Sequence, residues 1–125
     1  MRRGSQFGDN RRAAKLVNDY GFLLFPSFVL GFPGETEKTV QQTGEFALSL
    51  RDMYLVDRVD AFIMTPLPGS RAYQMLLEAP EMAAKYRERD RLSIKELQQD
   101  WNRQFCHVAY DEIEAASRRI SYGPD

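Results

Sequence analysis

Phe28-Val29-Leu30-Gly31-Phe32-Pro33-Gly34-Glu35-Thr36 reads as a buried strand that turns sharply into a helix. The apolar run begins upstream at Phe22-Leu23-Leu24-Phe25-Pro26-Ser27 and is almost continuous. Such a run predicts a strand covered on both faces, as in a parallel sheet. Pro26 has no N–H to donate to a ladder, so it marks a bulge or the strand's true beginning. Gly31 to Gly34 supply the turn. Thr36 then caps a helix that carries Val40, Thr43, Phe46, Ala47 and Leu50 on one face. Glu35 and Glu37 suit the positive end of that helix.

Working outward, Asp9 or Asn10 can cap an earlier helix with Ala13, Leu16, Val17 and Tyr20 at helical spacing, stopped by Gly21. Downstream, Arg51 to Asp57 return the chain to a second strand, Val59-Asp60-Ala61-Phe62-Ile63-Met64. It ends in a second turn, Thr65-Pro66-Leu67-Pro68-Gly69-Ser70, and a helix over 71–77. Helix, strand, helix, strand, helix calls for an α/β fold with parallel strands joined by crossovers. Pro80 opens a short charged helix to about Arg89. Ser93-Ile94-Lys95-Glu96 has the form of a capping box, and Leu97, Trp101, Phe105, Val108, Ile113, Ala116 and Ile120 predict one long helix beyond it. Gly123-Pro124-Asp125 is a breaker. Residues 1–78 thus form an α/β part and 79–125 a helical C-terminal tail.

Two parallel strands leave open sides that need sheet neighbours, and no third convincing strand is present. The sheet is expected to be incomplete: it pairs with another copy or belongs to a larger barrel or open sheet. The 125 residues fit one modest domain, and 43% hydrophobic with 28% charged residues is ordinary globular composition. A net charge of −1 and a pI near 5.9 give no general attraction to nucleic acid. No window approaches the roughly 18 apolar residues of a membrane span, so cytoplasmic residence is expected. The single cysteine, Cys106, excludes an intramolecular disulfide and any multi-cysteine metal site built from this chain alone.

In parallel α/β folds ligands gather at the carboxyl ends of strands. Both turns lie there, and their glycines allow close approach of backbone to a ligand. Neither the phosphate loop G-x-x-x-x-G-K-[ST] nor the dinucleotide fingerprint G-x-G-x-x-G occurs in them. Glu35 and Arg71, just past the turns, are the charged candidates for ligand contact. Cys106-His107 lacks a third metal ligand, and neighbours on a helix diverge by about 100°. Asp57 and Asp60 sit at the opposite strand end and read as solvated caps. Trp101, Phe105 and Tyr110 read as core or docking surface.

At the two turns the sequence resembles the radical S-adenosylmethionine enzymes, especially the branch that often carries a cobalamin-binding domain. The resemblance spans residues 1 to about 77 and is to the later strands of their partial (β/α) TIM-type barrel. Met1-Arg2-Arg3-Gly4 and the helix from Asn10 to Tyr20 lead to the phrase Phe28 to Thr36, and Phe62 to Tyr73 follows as the second phrase. The family's G-x-I-x-G-x-x-E pattern falls on Ser27 to Gly34, with Val29 and Gly31 at its hydrophobic and second glycine positions. Ser27 stands at the first glycine, and Glu35 lies one place past the acid.

The resemblance implies that Val29, Leu30, Gly31, Phe32, Pro33, Gly34 and Glu35, with Met64, Thr65 and Pro66, bind the adenosyl group of S-adenosylmethionine, largely through backbone. The family's C-x-x-x-C-x-x-C motif, which holds a 4Fe-4S cluster, is absent from this chain, so no catalytic or metal-ligating residue is assigned in it. The implied protein is the carboxy-terminal part of a barrel, not competent alone. Its partner is the missing N-terminal part of the barrel or a separate chain supplying it. A small-molecule substrate is expected, and cobalamin is a further cofactor of that branch. Two other readings are a standalone module that dimerises or docks a partner through a 93–120 helix, and a small nucleotide-binding protein.

Overall fold

A computed structural model describes residues 3–123 as an α/β arrangement of six helices around a two-stranded parallel sheet. Met1, Arg2, Pro124 and Asp125, which belong to the opening segment and the breaker read from sequence, lie outside the described residues. Helix α1 (Arg3–Asp19) starts well before the cap expected at Asp9 or Asn10. No proline interrupts 3–9, and a glycine inside a helix costs only about 1 kcal/mol relative to alanine, which Gly4 and Gly8 do not make prohibitive. Gly21 does end the helix, with φ +87° and its N–H on the carbonyl of Asn18 at 2.9 Å. The inward face also differs: Ala14 and Val17 pack toward Phe46 and Leu50, whereas Leu16 and Tyr20 are exposed.

Strand β1 (Ser27–Leu30) begins immediately after Pro26, as its missing N–H requires. Strand β2 (Asp60–Ile63) pairs with it in parallel, Ser27 with Asp60 through Leu30 with Ile63. Between them runs α2 (Glu37–Met53). Its buried residues are Val40, Thr43, Phe46, Ala47 and Leu50, the stripe read from the sequence. Thr36 caps it reciprocally: its hydroxyl accepts from the Thr39 N–H, and the Thr39 hydroxyl accepts from the Thr36 N–H.

Among the described residues the sheet is covered on one face, not two. Leu30 and Ala61, with Phe28 and Ile63, join the core built by α2 and the last helix. Val29 and Phe62, partners in the register, point the other way and are 51% and 55% exposed. The unbroken apolar run therefore marks a surface that the described residues leave open.

Beyond β2, Ser70 caps α3 (Arg71–Leu76), and α4 (Pro80–Tyr86) has its proline in the first turn, where no N–H is needed. The single long helix expected over 93–120 is in fact two, α5 (Ile94–Phe105) and α6 (Tyr110–Tyr122). Cys106 is extended at φ −113°, ψ 158°. His107 donates its N–H to the Glu35 carbonyl at 2.7 Å, and the Asn102 amide holds the Val108 carbonyl at 2.8 Å. The break trades helical hydrogen bonds for bonds to the first turn, while the apolar spacing continues across it. That continuity hid the break.

The two helices bury their apolar faces in their own chain. Trp101 and Leu97 meet Ala72, Leu76, Met82 and Tyr86, and Ile113, Ala116 and Ile120 meet Leu30, Val40 and Ala61. Trp101 is 1% exposed, which removes the basis for a docking or dimerising helix. Each of these two clusters draws residues from both 1–78 and 79–125. Helix α6 also lies along the far edge of β2: Ser121 Oγ accepts from the Ala61 N–H at 2.9 Å, and Ser117 Oγ donates to the Ala61 carbonyl at 2.7 Å. These hydroxyls stand where another strand would bond. The far edge of β1 has no strand partner among the described residues.

Candidate functional site

The first turn needs its glycines. Gly31 has φ +95° and Gly34 φ +90°, and a Cβ on Gly31 would stand 3.4 Å from the Met64 Cβ. Glu35 is wholly buried inside the turn that it follows. Its carboxylate accepts from the Gly31 N–H at 3.0 Å and from the Thr39 hydroxyl. The tail closes over the other side. Trp101 Nε1 donates to the Gly31 carbonyl at 2.6 Å, and Cys106 Sγ lies 3.4 and 3.5 Å from the carbonyls of Gly31 and Phe32. The Gly34 N–H reaches the Phe105 carbonyl at 2.8 Å. Much of the turn's polar backbone is thereby engaged within the chain.

The second turn is held in a similar way. Met64 donates its N–H to the Leu30 carbonyl at 2.8 Å, joining the two strand ends. Thr65 Oγ1 donates to the Ile63 carbonyl at 2.9 Å and accepts from Gln98 Nε2 at 2.8 Å, and Tyr110 donates to Gln98 Oε1 at 2.6 Å. Pro66 is buried.

Of the ten residues read as adenosyl contacts, Leu30, Gly31, Glu35 and Pro66 are buried in this chain. Val29, Pro33 and Gly34 are exposed, and Phe32, Met64 and Thr65 are half-buried. Besides Pro33 and Gly34 in the turn, the accessible part is the open sheet face of Val29 and Phe62 running into the half-buried Met64 and Thr65. Arg71 is exposed, with Gln74 at 3.5 Å. Asp60, at the far strand end, pairs with Arg58 at 3.0 Å.

Cys106 is ill suited to nucleophilic or metal chemistry. Burial, and then the negative charge of Glu35, push its thiol up to about 11, so it stays protonated at neutral pH. Among the described residues no three His, Cys, Asp or Glu side chains gather to hold a metal. Sequence reasoning missed Gln98 as a partner of the second turn and placed Trp101 only as core or docking surface. The lone tryptophan was the available signal, since a buried indole N–H demands an acceptor.

The chain aligns with ribosomal protein uS12 methylthiotransferase RimO of Haemophilus ducreyi at 31% identity over 97 residues, 73% of this chain and 21% of that protein. It aligns with tRNA-2-methylthio-N(6)-dimethylallyladenosine synthase of Thermus thermophilus at 34% over 80 residues, 64% of this chain and 16% of that one. A third relative, the RimO protein of Pelotomaculum thermopropionicum, is 36% identical over 81 residues, again 64% of this chain and 17% of the relative. The chain belongs to the radical S-adenosylmethionine family.

It spans about a fifth of the length of these relatives. No protein-family model matches it, and neither does any solved structure. The radical S-adenosylmethionine enzymes use S-adenosylmethionine and a 4Fe-4S cluster. The residues of this chain do not fit the cluster, because its one thiol is bonded inward and held protonated. Cobalamin, implied by the resemblance to one branch, finds no support among these relatives. No helix of the described residues is long and apolar enough to cross a membrane.

Proposed function

We propose that this stretch forms one wall of the adenosyl-binding site of a radical S-adenosylmethionine enzyme. The open Val29–Phe62 face, continued by Met64 and Thr65, carries this reading: an exposed apolar strip at the carboxyl ends of parallel strands suits the flat face of an adenine. Glu35 acts from inside, fixing the turn and leaving the ligand to the backbone and to Val29. The cluster is held by residues other than these, so the stretch alone does not cleave the cofactor. Further strands of the barrel continue the sheet from the edge of β1, whereas α6 already occupies the edge of β2. Methylthio transfer is the outcome that the relatives' names favour.

The test is a titration of the isotopically labelled chain with S-adenosylmethionine, followed by amide chemical shifts. Movement of Val29, Phe62, Met64 and Thr65, abolished by Val29→Asp and not reproduced by ATP, is expected. Equal response to ATP, or no response at these positions, overturns the adenosyl site. Separately, anaerobic reconstitution with iron and sulfide should yield neither a stoichiometric cluster nor 5'-deoxyadenosine.

A further inference from the structure

Gln98 and Trp101 lie three residues apart on α5 and therefore share a face of that helix. Trp101 Nε1 bonds the Gly31 carbonyl at the end of β1, and Gln98 Nε2 bonds Thr65 Oγ1 at the end of β2. One helical turn thus touches both ligand-side turns. The opposite end of Gln98 is held by the Tyr110 hydroxyl at the start of α6, so its amide has a fixed orientation. Met64, between the two anchor points, packs into the cluster around Trp101.

From this juxtaposition we infer that α5 is a spacer bar. Gln98 and Trp101 are positioning residues that hold the two turns at one separation, so that Val29, Phe62 and Thr65 present a single wall. The need for such a bar follows from the sheet itself: its strands are four residues each, and a short two-stranded ribbon does not fix its own loops. Binding that depends on both turns is sensitive to shifts of about 1 Å between them. The inference rests on the adenosyl-site reading for its consequence, though not for its geometry.

The experiment places nitroxide labels at Pro33→Cys and Pro68→Cys, both exposed positions, in a Cys106→Ser background, and reads the distance distribution by pulsed electron paramagnetic resonance. The parent should give one narrow distance. Gln98→Met keeps the side chain's length and loses both hydrogen bonds. It should broaden the distribution with unchanged circular dichroism, and weaken S-adenosylmethionine binding about fivefold, the equivalent of one hydrogen bond. Trp101→Phe should broaden it further; because Gln98 is only half-buried, its variant remains informative if the tryptophan variant unfolds. An unchanged narrow distance in Gln98→Met overturns the spacer role. A broadened distance in a chain whose parent binds no S-adenosylmethionine leaves the spacer standing and removes the adenosyl site instead.

Discussion

The carboxylate of Glu35 lies wholly inside the protein, 3.0 Å from the amide nitrogen of Gly31, four residues back along the chain. A buried carboxylate is tolerated where N–H and O–H donors replace its water, and here the Gly31 N–H and the Thr39 hydroxyl do so. The acid therefore serves the shape of the turn.

Removing it should be costly to stability before it is costly to any ligand. Glu35→Ala leaves the Gly31 N–H unpaired and opens a void, an expected loss of about 2–4 kcal/mol in urea unfolding. Glu35→Gln keeps an acceptor oxygen and the volume, and should lose about 1 kcal/mol.

The hydroxyls of Ser117 and Ser121 protect the edge of β2. Replacing both with alanine strips the Ala61 N–H and carbonyl of their partners, at an expected cost of about 1–3 kcal/mol. An unguarded strand edge also templates pairing between chains. Sedimentation should accordingly show concentration-dependent self-association in the double variant beyond that of the parent.

Cys106 gives the alkaline limb of stability. Its thiol titrates at about 11 in the folded chain against an ordinary 9.0, because burial and then the Glu35 charge disfavour the thiolate. A group whose pKa is raised by folding contributes stability that is complete below the unfolded value. That contribution is lost as pH rises from about 9 toward 11. Cys106→Ala should flatten this part of the stability curve. In the parent, iodoacetamide should react slowly at pH 8 until urea unfolds the chain.

Asp100 gives the acid limb. Burial pushes its carboxyl up, but hydrogen bonds from Lys85 and Tyr86 and the charges of Lys85 and Arg103 outweigh this and hold it below the ordinary 3.8. A depressed carboxyl stabilises the fold above its unfolded value and loses that contribution as pH falls through the folded one. Asp100→Asn should reduce stability at pH 7 by about 1–3 kcal/mol and show less further loss below about pH 4 than the parent. Burial, and then the bond to Asp100, raise the Tyr86 hydroxyl, so the same variant should bring its titration downward.

The sequence by itself determined what local chemistry dictates. Pro26 set the start of β1, Thr36 capped its helix, the five-residue stripe of α2 faced the core, and the two glycine turns marked the strand ends. Two ordered turn phrases were enough to place the chain in its family, because such phrases are contiguous in sequence. Only the tertiary structure decided the rest. The break at Cys106 is made by bonds to Glu35 and to the Asn102 side chain, and periodicity carries no trace of a bond 72 positions away in sequence, as 107 − 35 gives. The burial of Glu35, the serine-covered edge of β2 and the spacing of the turns by Gln98 and Trp101 are likewise contacts between distant residues. Glu35, Gln98, Ser117 and Ser121 would each suit an exposed position equally well, and only packing selects their partners.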